Sequence, residues 1–181
     1  MTDEEWLTRL SVPSLPPWDD SRREPLVSTL KRWGASGLPL LVLSGAQDSG
    51  TSTTARDLLL KLDATAKAMP RNPTNSRIQA AWIAPGTVGQ ISTINPAPPL
   101  DLVDLVERKL SVTLLVIDGL GAERPTTLIT ATEVNWLVRR VASRKPTIIA
   151  TALTDRDMRL RWRDSAAGIL AAAFWSSIQS A

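Results

Sequence analysis

The sequence predicts an α/β domain with helices on both faces of a central parallel sheet. Three observations carry this. Short continuous apolar runs, as strands buried on both faces require, recur at 40–43, 112–118 and 146–153. Segments with apolar residues at three-to-four spacing separate them, the mark of strand–helix–strand crossovers. The first run leads directly into a glycine turn and then a helical pattern. Ligands of such sheets bind beyond the carboxyl ends of the strands, so function is sought at the turn after Ser44 and at the end of 112–118.

In chain order, residues 2–10 are expected to form a short helix. Thr2 and Glu5 have capping-box spacing, and Trp6, Leu7 and Leu10 share a face. Pro13, Pro16 and Pro17 then break regular structure. Residues 1–22 divide off as an arm and linker, and 23–181 as the domain. Residues 23–33 read as a helix ending at Gly34 and Gly37. After strand 38–44, Ala55, Leu58, Leu59, Leu62, Ala66 and Met69 mark a helix stopped by Pro70. Residues 78–84 read as a strand, 85–99 as a Gly/Pro-rich loop and 100–110 as an amphipathic helix. In 126–142, Leu128, Ala131, Val134, Leu137, Val138 and Val141 are the expected inward face. A basic helix at 155–163 follows strand 146–153, and 168–178 suits either a strand or a helix.

The 181 residues include no Cys, His or Tyr. That excludes disulfides, Ser-His-Asp chemistry and thiolate or imidazole metal sites. No apolar run approaches the ~20 residues of a membrane span. The acidic N-terminus has no signal-peptide core, so the cytoplasm is the expected compartment.

Gly45-x4-Gly50-Thr51-Ser52 has the spacing of a phosphate-binding P-loop, G-x4-G-K-[ST]. Glycines let backbone N–H groups wrap phosphates at a helix N-terminus, a lysine neutralises them, and the hydroxyl holds magnesium. Here Ser52 keeps the hydroxyl, but Thr51 stands at the lysine position and Asp48 adds a negative charge. The run LLVID ends in Asp118, as a magnesium-holding Walker B carboxylate would. Gly119 follows where hydrolysing enzymes carry a second acid.

LLVIDGLGAERPTT (114–127) and EVNWLVRRVASRKPTIIATALTDRDM (133–158) resemble the AAA+ ATPase domain of DnaC-type helicase loaders and the related IstB-type transposition ATPases. Those show LLxIDDLGAE, a helix and then xxRPTIxTSNL, and the resemblance spans roughly 38–165. It implies a three-layer P-loop domain with little or no helical lid. It places the nucleotide site at Gly45, Gly50, Thr51 and Ser52, and magnesium on Ser52 and Asp118. The family's sensor asparagine falls at Ala152. Its trans-acting arginine finger falls near Arg163, although Arg161 and Trp162 depart from the Gly-Asp/Glu-Arg pattern, and no sensor-two arginine follows at 166–168. The losses point to a pseudo-ATPase with no bound cofactor, or with ATP and magnesium held weakly. Arg56 and Lys61 are poor substitutes for the lysine, since they point along the helix.

Residues 139–163 hold Arg139, Arg140, Arg144, Lys145, Arg156, Arg159, Arg161 and Arg163 against Asp155 and Asp157, on a chain of net charge +3. This is a candidate surface for DNA or an acidic partner, or else two solvated helix faces. Of the seven tryptophans, Trp82 and Trp136 read as core and Trp33 as half-buried. Trp6, Trp18, Trp162 and Trp175 fall outside the periodic core and are candidate interface anchors or base-stacking residues, or else aromatics closing the rim of the core. Residues 2–10 are too short to fold alone and must order on a partner or on the domain. The expected role is a non-catalytic AAA+-like adaptor in a replication or transposition machine. Its partners would be a helicase-like or AAA+ subunit or further copies of itself, with DNA as a second candidate. The alternatives are an active helicase loader or transposition helper with a modified loop, and a protein-binding module without a DNA role.

Overall fold

The computed structural model describes residues 1–16, 23–46, 49–69, 77–94 and 97–178, the side chains of 23 and 24 excepted. Its centre is a five-stranded parallel sheet: β1 (Leu40–Ser44), β2 (Ala80–Ile83), β3 (Leu114–Asp118), β4 (Thr147–Thr151) and β5 (Ala173–Ser177). The strand order is β2-β3-β4-β1-β5. β4 therefore lies between β1 and β3, with Leu41 opposite Ile148 on one side and Val116 opposite Ile148 on the other. At two strand spacings, the ends of β1 and β3 are about 10 Å apart, and a group on the following helix can bridge them.

Among the described residues eight helices accompany the sheet: α1 (Asp3–Arg9), α2 (Arg23–Ser36), α3 (Thr51–Lys67), α4 (Thr87–Ile91), α5 (Leu100–Ser111), α6 (Thr127–Ala142), α7 (Asp155–Trp162) and α8 (Ala166–Ala171), with a 3-10 turn at Arg163–Ser165. Alternation along each strand divides the core in two. Leu40 and Val42 face Trp136 and Leu137 of α6, Met158 and Trp162 of α7, and Ile169 of α8. Leu41 and Leu43 face α1, α2 and α3 through Trp6, Leu26, Trp33, Leu58 and Leu59. The outer edge of β2 is covered: Lys109 of α5 donates to the Trp82 carbonyl at 2.6 Å, which blunts the edge against pairing with another chain. Burial holds this ammonium below its ordinary pKa.

Several expectations need correction. α2 runs through Gly34 and ends at Gly37, whose φ of +65° is the left-handed stop. The 85–99 stretch contains α4, opened by left-handed Gly86. Residues 168–178 are both helix and strand. The buried face of α6 is Glu133, Trp136, Leu137 and Arg140, while Leu128, Ala131 and Val138 are exposed. The apolar stripe misled because two charged residues lie inward with partners waiting for them. Trp6 and Trp162 are core residues, Trp33 is buried, and Trp175 is half-buried against the first core. Trp18 and Pro70 lie outside the described residues.

α1 orders on the domain itself. Thr2 and Glu5 form the capping box, and the buried Trp6 carries the Arg77 guanidinium 4.6 Å from its ring centre. Arg77 also bridges Asp3 and the buried Asp63, 2.8 Å from each. Among the described residues no helix is long and apolar enough to cross a membrane.

Candidate functional site

β1 ends at Ser44, and the chain turns sharply because the next position admits only glycine. A Cβ on Gly45 would strike Ser49 Oγ and lie 2.6 Å from the Ile178 carbonyl. Gly45 N–H donates to the Thr151 carbonyl at 3.2 Å, and Ser44 Oγ to the Leu153 carbonyl at 2.8 Å, so the turn is tied to the end of β4. Gly50, at φ +86°, starts α3 with no side chain capping it, so the positive helix end faces the turn. Ser49 Oγ is buried there with no partner among the described residues. Asp48 lies outside the described residues.

Ser52, in the first turn of α3, reaches across to β3. Its hydroxyl donates to Asp118 Oδ1 at 2.6 Å. Asp118 is buried, and burial pushes its carboxyl above the ordinary 3.8, partly opposed by the hydrogen bonds from Ser52 and Gly119 N–H. The structure thus brings Gly45, Gly50, Ser52 and Asp118 together. Thr51 is half-exposed on the same first turn, and Ala152 is exposed just beyond β4.

Position 119 would carry an acid only under strain, for two reasons. Gly119 has φ +67°, and a Cβ there would lie 2.9 Å from Pro85 Cβ. Thr151 at the end of β4 is engaged by the same loop, donating to the Leu120 carbonyl at 2.7 Å and accepting from Leu153 N–H at 3.0 Å.

A hydroxyl and a carboxylate in contact offer a divalent cation two ligands, too few without phosphate oxygens beside them, and among the described residues no cluster of three metal-ligating acids lies there. The pair does not suit a magnesium triphosphate as an active P-loop holds one, since position 51 brings no cation. Arg56 does not replace it. Its guanidinium donates to the Leu15 and Pro16 carbonyls at 3.3 and 2.7 Å and to Asp57 Oδ1 at 2.7 Å.

The basic segment is not one surface. Arg140 is buried, donating to the Leu110, Val112, Thr113 and Pro146 carbonyls and to Thr147 Oγ1. Burial lowers its pKa to about 10, so it stays charged at neutral pH. Arg161 is paired with the fully buried Glu133 at 2.7 Å. These two leave the proposed interface, because their guanidinium groups hold the fold. Arg139 forms a two-bond pair with Glu107, and Arg159 pairs with Asp155. Lys145 donates to the Ser111 carbonyl. Arg144 precedes β4, whereas Arg156 follows it, so the exposed members lie at opposite ends of the sheet. Arg163 is exposed at the end of α7 with φ +46°, on a groove between α6 and α7.

Sequence reasoning missed Glu133, which accepts from Arg161 and from Trp162 Nε1 at 2.9 Å. Its signal was a lone acid three residues before Trp136, on the face opposite the exposed Leu128 and Val138.

No family model and no curated relative matches the sequence. Solved structures do. DnaI superposes with a TM-score of 0.62 at 16% identity, over 91% of this chain and 88% of that one. The DnaC helicase loader gives 0.58 at 17%, over 93% and 96%. The fold is that of an AAA+ P-loop domain. AMPPCP-bound DnaA from Aquifex aeolicus gives a TM-score of 0.59 at 11% identity over 91% of this chain, which spans 48% of that longer one. At these identities the likeness is one of fold.

Proposed function

We propose that this chain is a non-hydrolysing AAA+-fold subunit that joins other proteins in a replication-type assembly. Gly119 carries the reading. It brings no acid to position an attacking water, and its left-handed backbone and the approach of Pro85 would strain any acid placed there. Thr51 in place of lysine, and Arg56 turned to the arm, support it. The fold likeness to a DnaC helicase loader supports a role beside a helicase or another AAA+ subunit. Arg163, exposed and left-handed beside the buried Arg161–Glu133 pair, is the side chain offered to a neighbouring subunit. The division of the basic segment between the two ends of the sheet favours protein over DNA as the main partner.

The test is phosphate release from ATP by the native chain and by Thr51→Lys. A lysine added to the loop is expected to strengthen ATP binding without turnover, because losing transition-state contacts costs orders of magnitude in rate. Multiple turnovers by the native chain would overturn the reading.

A further inference from the structure

A cavity of about 520 Å³ opens at the base of the sheet, at the strand ends opposite the glycine turn. Leu30, Trp33, Leu62, Met69, Ile78 and Leu114 form its apolar walls. The size and composition are those of a small-molecule pocket with few polar groups. Among its described lining residues Arg144 is the only charged one, and none is acidic.

Arg144 occupies a position that an ordinary helix end reserves for glycine. It follows the cap residue Ser143 of α6 with φ +51°. Its N–H bonds the Val141 carbonyl at 3.0 Å, and Lys145 N–H the Arg140 carbonyl at 3.3 Å, closing the helix as a left-handed terminator does. A long side chain there is conformationally disfavoured, yet this one reaches across the cavity's rim. Its guanidinium makes a long 3.3 Å bond to the Gly37 carbonyl, in solvent and open to a stronger acceptor.

We propose that this cavity binds an aliphatic carboxylate of medium chain length, the tail lying on the apolar walls and the carboxylate on Arg144. A carboxylate is favoured over an uncharged apolar ligand because the one charged group among the described lining residues is a guanidinium, whose planar fork matches two carboxylate oxygens. The site is at the other end of the sheet from the phosphate-type turn and does not depend on the function proposed above.

The test is calorimetric titration of the full chain with decanoate and, in parallel, decanol. Arg144→Gly removes the guanidinium while supplying the residue that a left-handed helix end prefers, so its melting temperature should equal or exceed that of the native chain. It should weaken decanoate binding at least tenfold and leave decanol unchanged. Thr65→Trp, from an exposed position on α3 at the cavity wall, should weaken both at least tenfold. The proposal is overturned if decanoate shows no saturable binding at millimolar concentration. It is equally overturned if Arg144→Gly leaves decanoate affinity intact or lowers decanol affinity as much, or if Thr65→Trp leaves both intact.

Discussion

The glycine turn and the basic segment of residues 139–163 have gone opposite ways. The turn has the glycine spacing of a phosphate loop without its lysine: glycines at 45 and 50 shape it, and threonine stands at 51. The basic segment keeps its charges, yet four of its eight face inward or pair with acidic neighbours: Arg140, Arg161, Arg139 and Arg159. Arg140 makes five hydrogen bonds that tie the start of β4 to the loop before β3. Arg161 neutralises a buried glutamate. A motif's spacing therefore reports a backbone shape, and a charge count reports a number of side chains. Neither reports function until the partners of each group are known.

The largest effect should come from the buried pair. Glu133→Ala leaves Arg161 without its counter-charge and Trp162 Nε1 without its acceptor, and breaking such a pair costs about 3–5 kcal/mol. Urea denaturation should show a fall of that size. A loss below about 1 kcal/mol would return Arg161 to the class of surface charges.

Gly119→Asp tests the turn. Strain at the left-handed position should cost about 1–3 kcal/mol, before the contact with Pro85 is counted. Phosphate release should stay at background, even combined with Thr51→Lys. The double variant Pro85→Gly, Gly119→Asp should recover part of the lost stability if the contact is real.

Asp118 gives a pH signature. Its folded pKa lies above the unfolded 3.8, so the native state holds the proton more tightly. Its contribution favours folding while the carboxyl is protonated and is lost as pH rises from 3.8 through the folded value. Asp118→Asn should therefore be more stable than the native chain at neutral pH, with the difference closing as pH falls below 3.8. Thermal melts across that range measure it.

The smallest effect belongs to an exposed pair. Arg139→Ala removes the contact with Glu107, in which both side chains are near half-exposed, and should change stability by about 0–1 kcal/mol. A large loss there would erase the distinction between the inward and outward arginines.

The sheet was legible because buried parallel strands leave little choice of residue, as Leu41, Val116 and Ile149 show. The pairing of Ser52 with Asp118 was legible as well, since strand, turn and helix in that order converge on one end of the sheet. The face of α6 was not. Periodicity assigns charged residues outward, and only the tertiary fold shows that Glu133 and Arg140 have partners inside. The burial of Trp6 was hidden for a similar reason: its neighbour Arg77 is 71 residues away in sequence. The constraint on residue 119 came from Pro85, which no local pattern links to β3.

The central claim of the proposed function is that the turn does not serve ATP, and titration calorimetry of the native chain with ATP and magnesium tests it most directly. The account predicts no saturable heat below millimolar nucleotide and no dependence on magnesium. Micromolar, magnesium-dependent binding would contradict it.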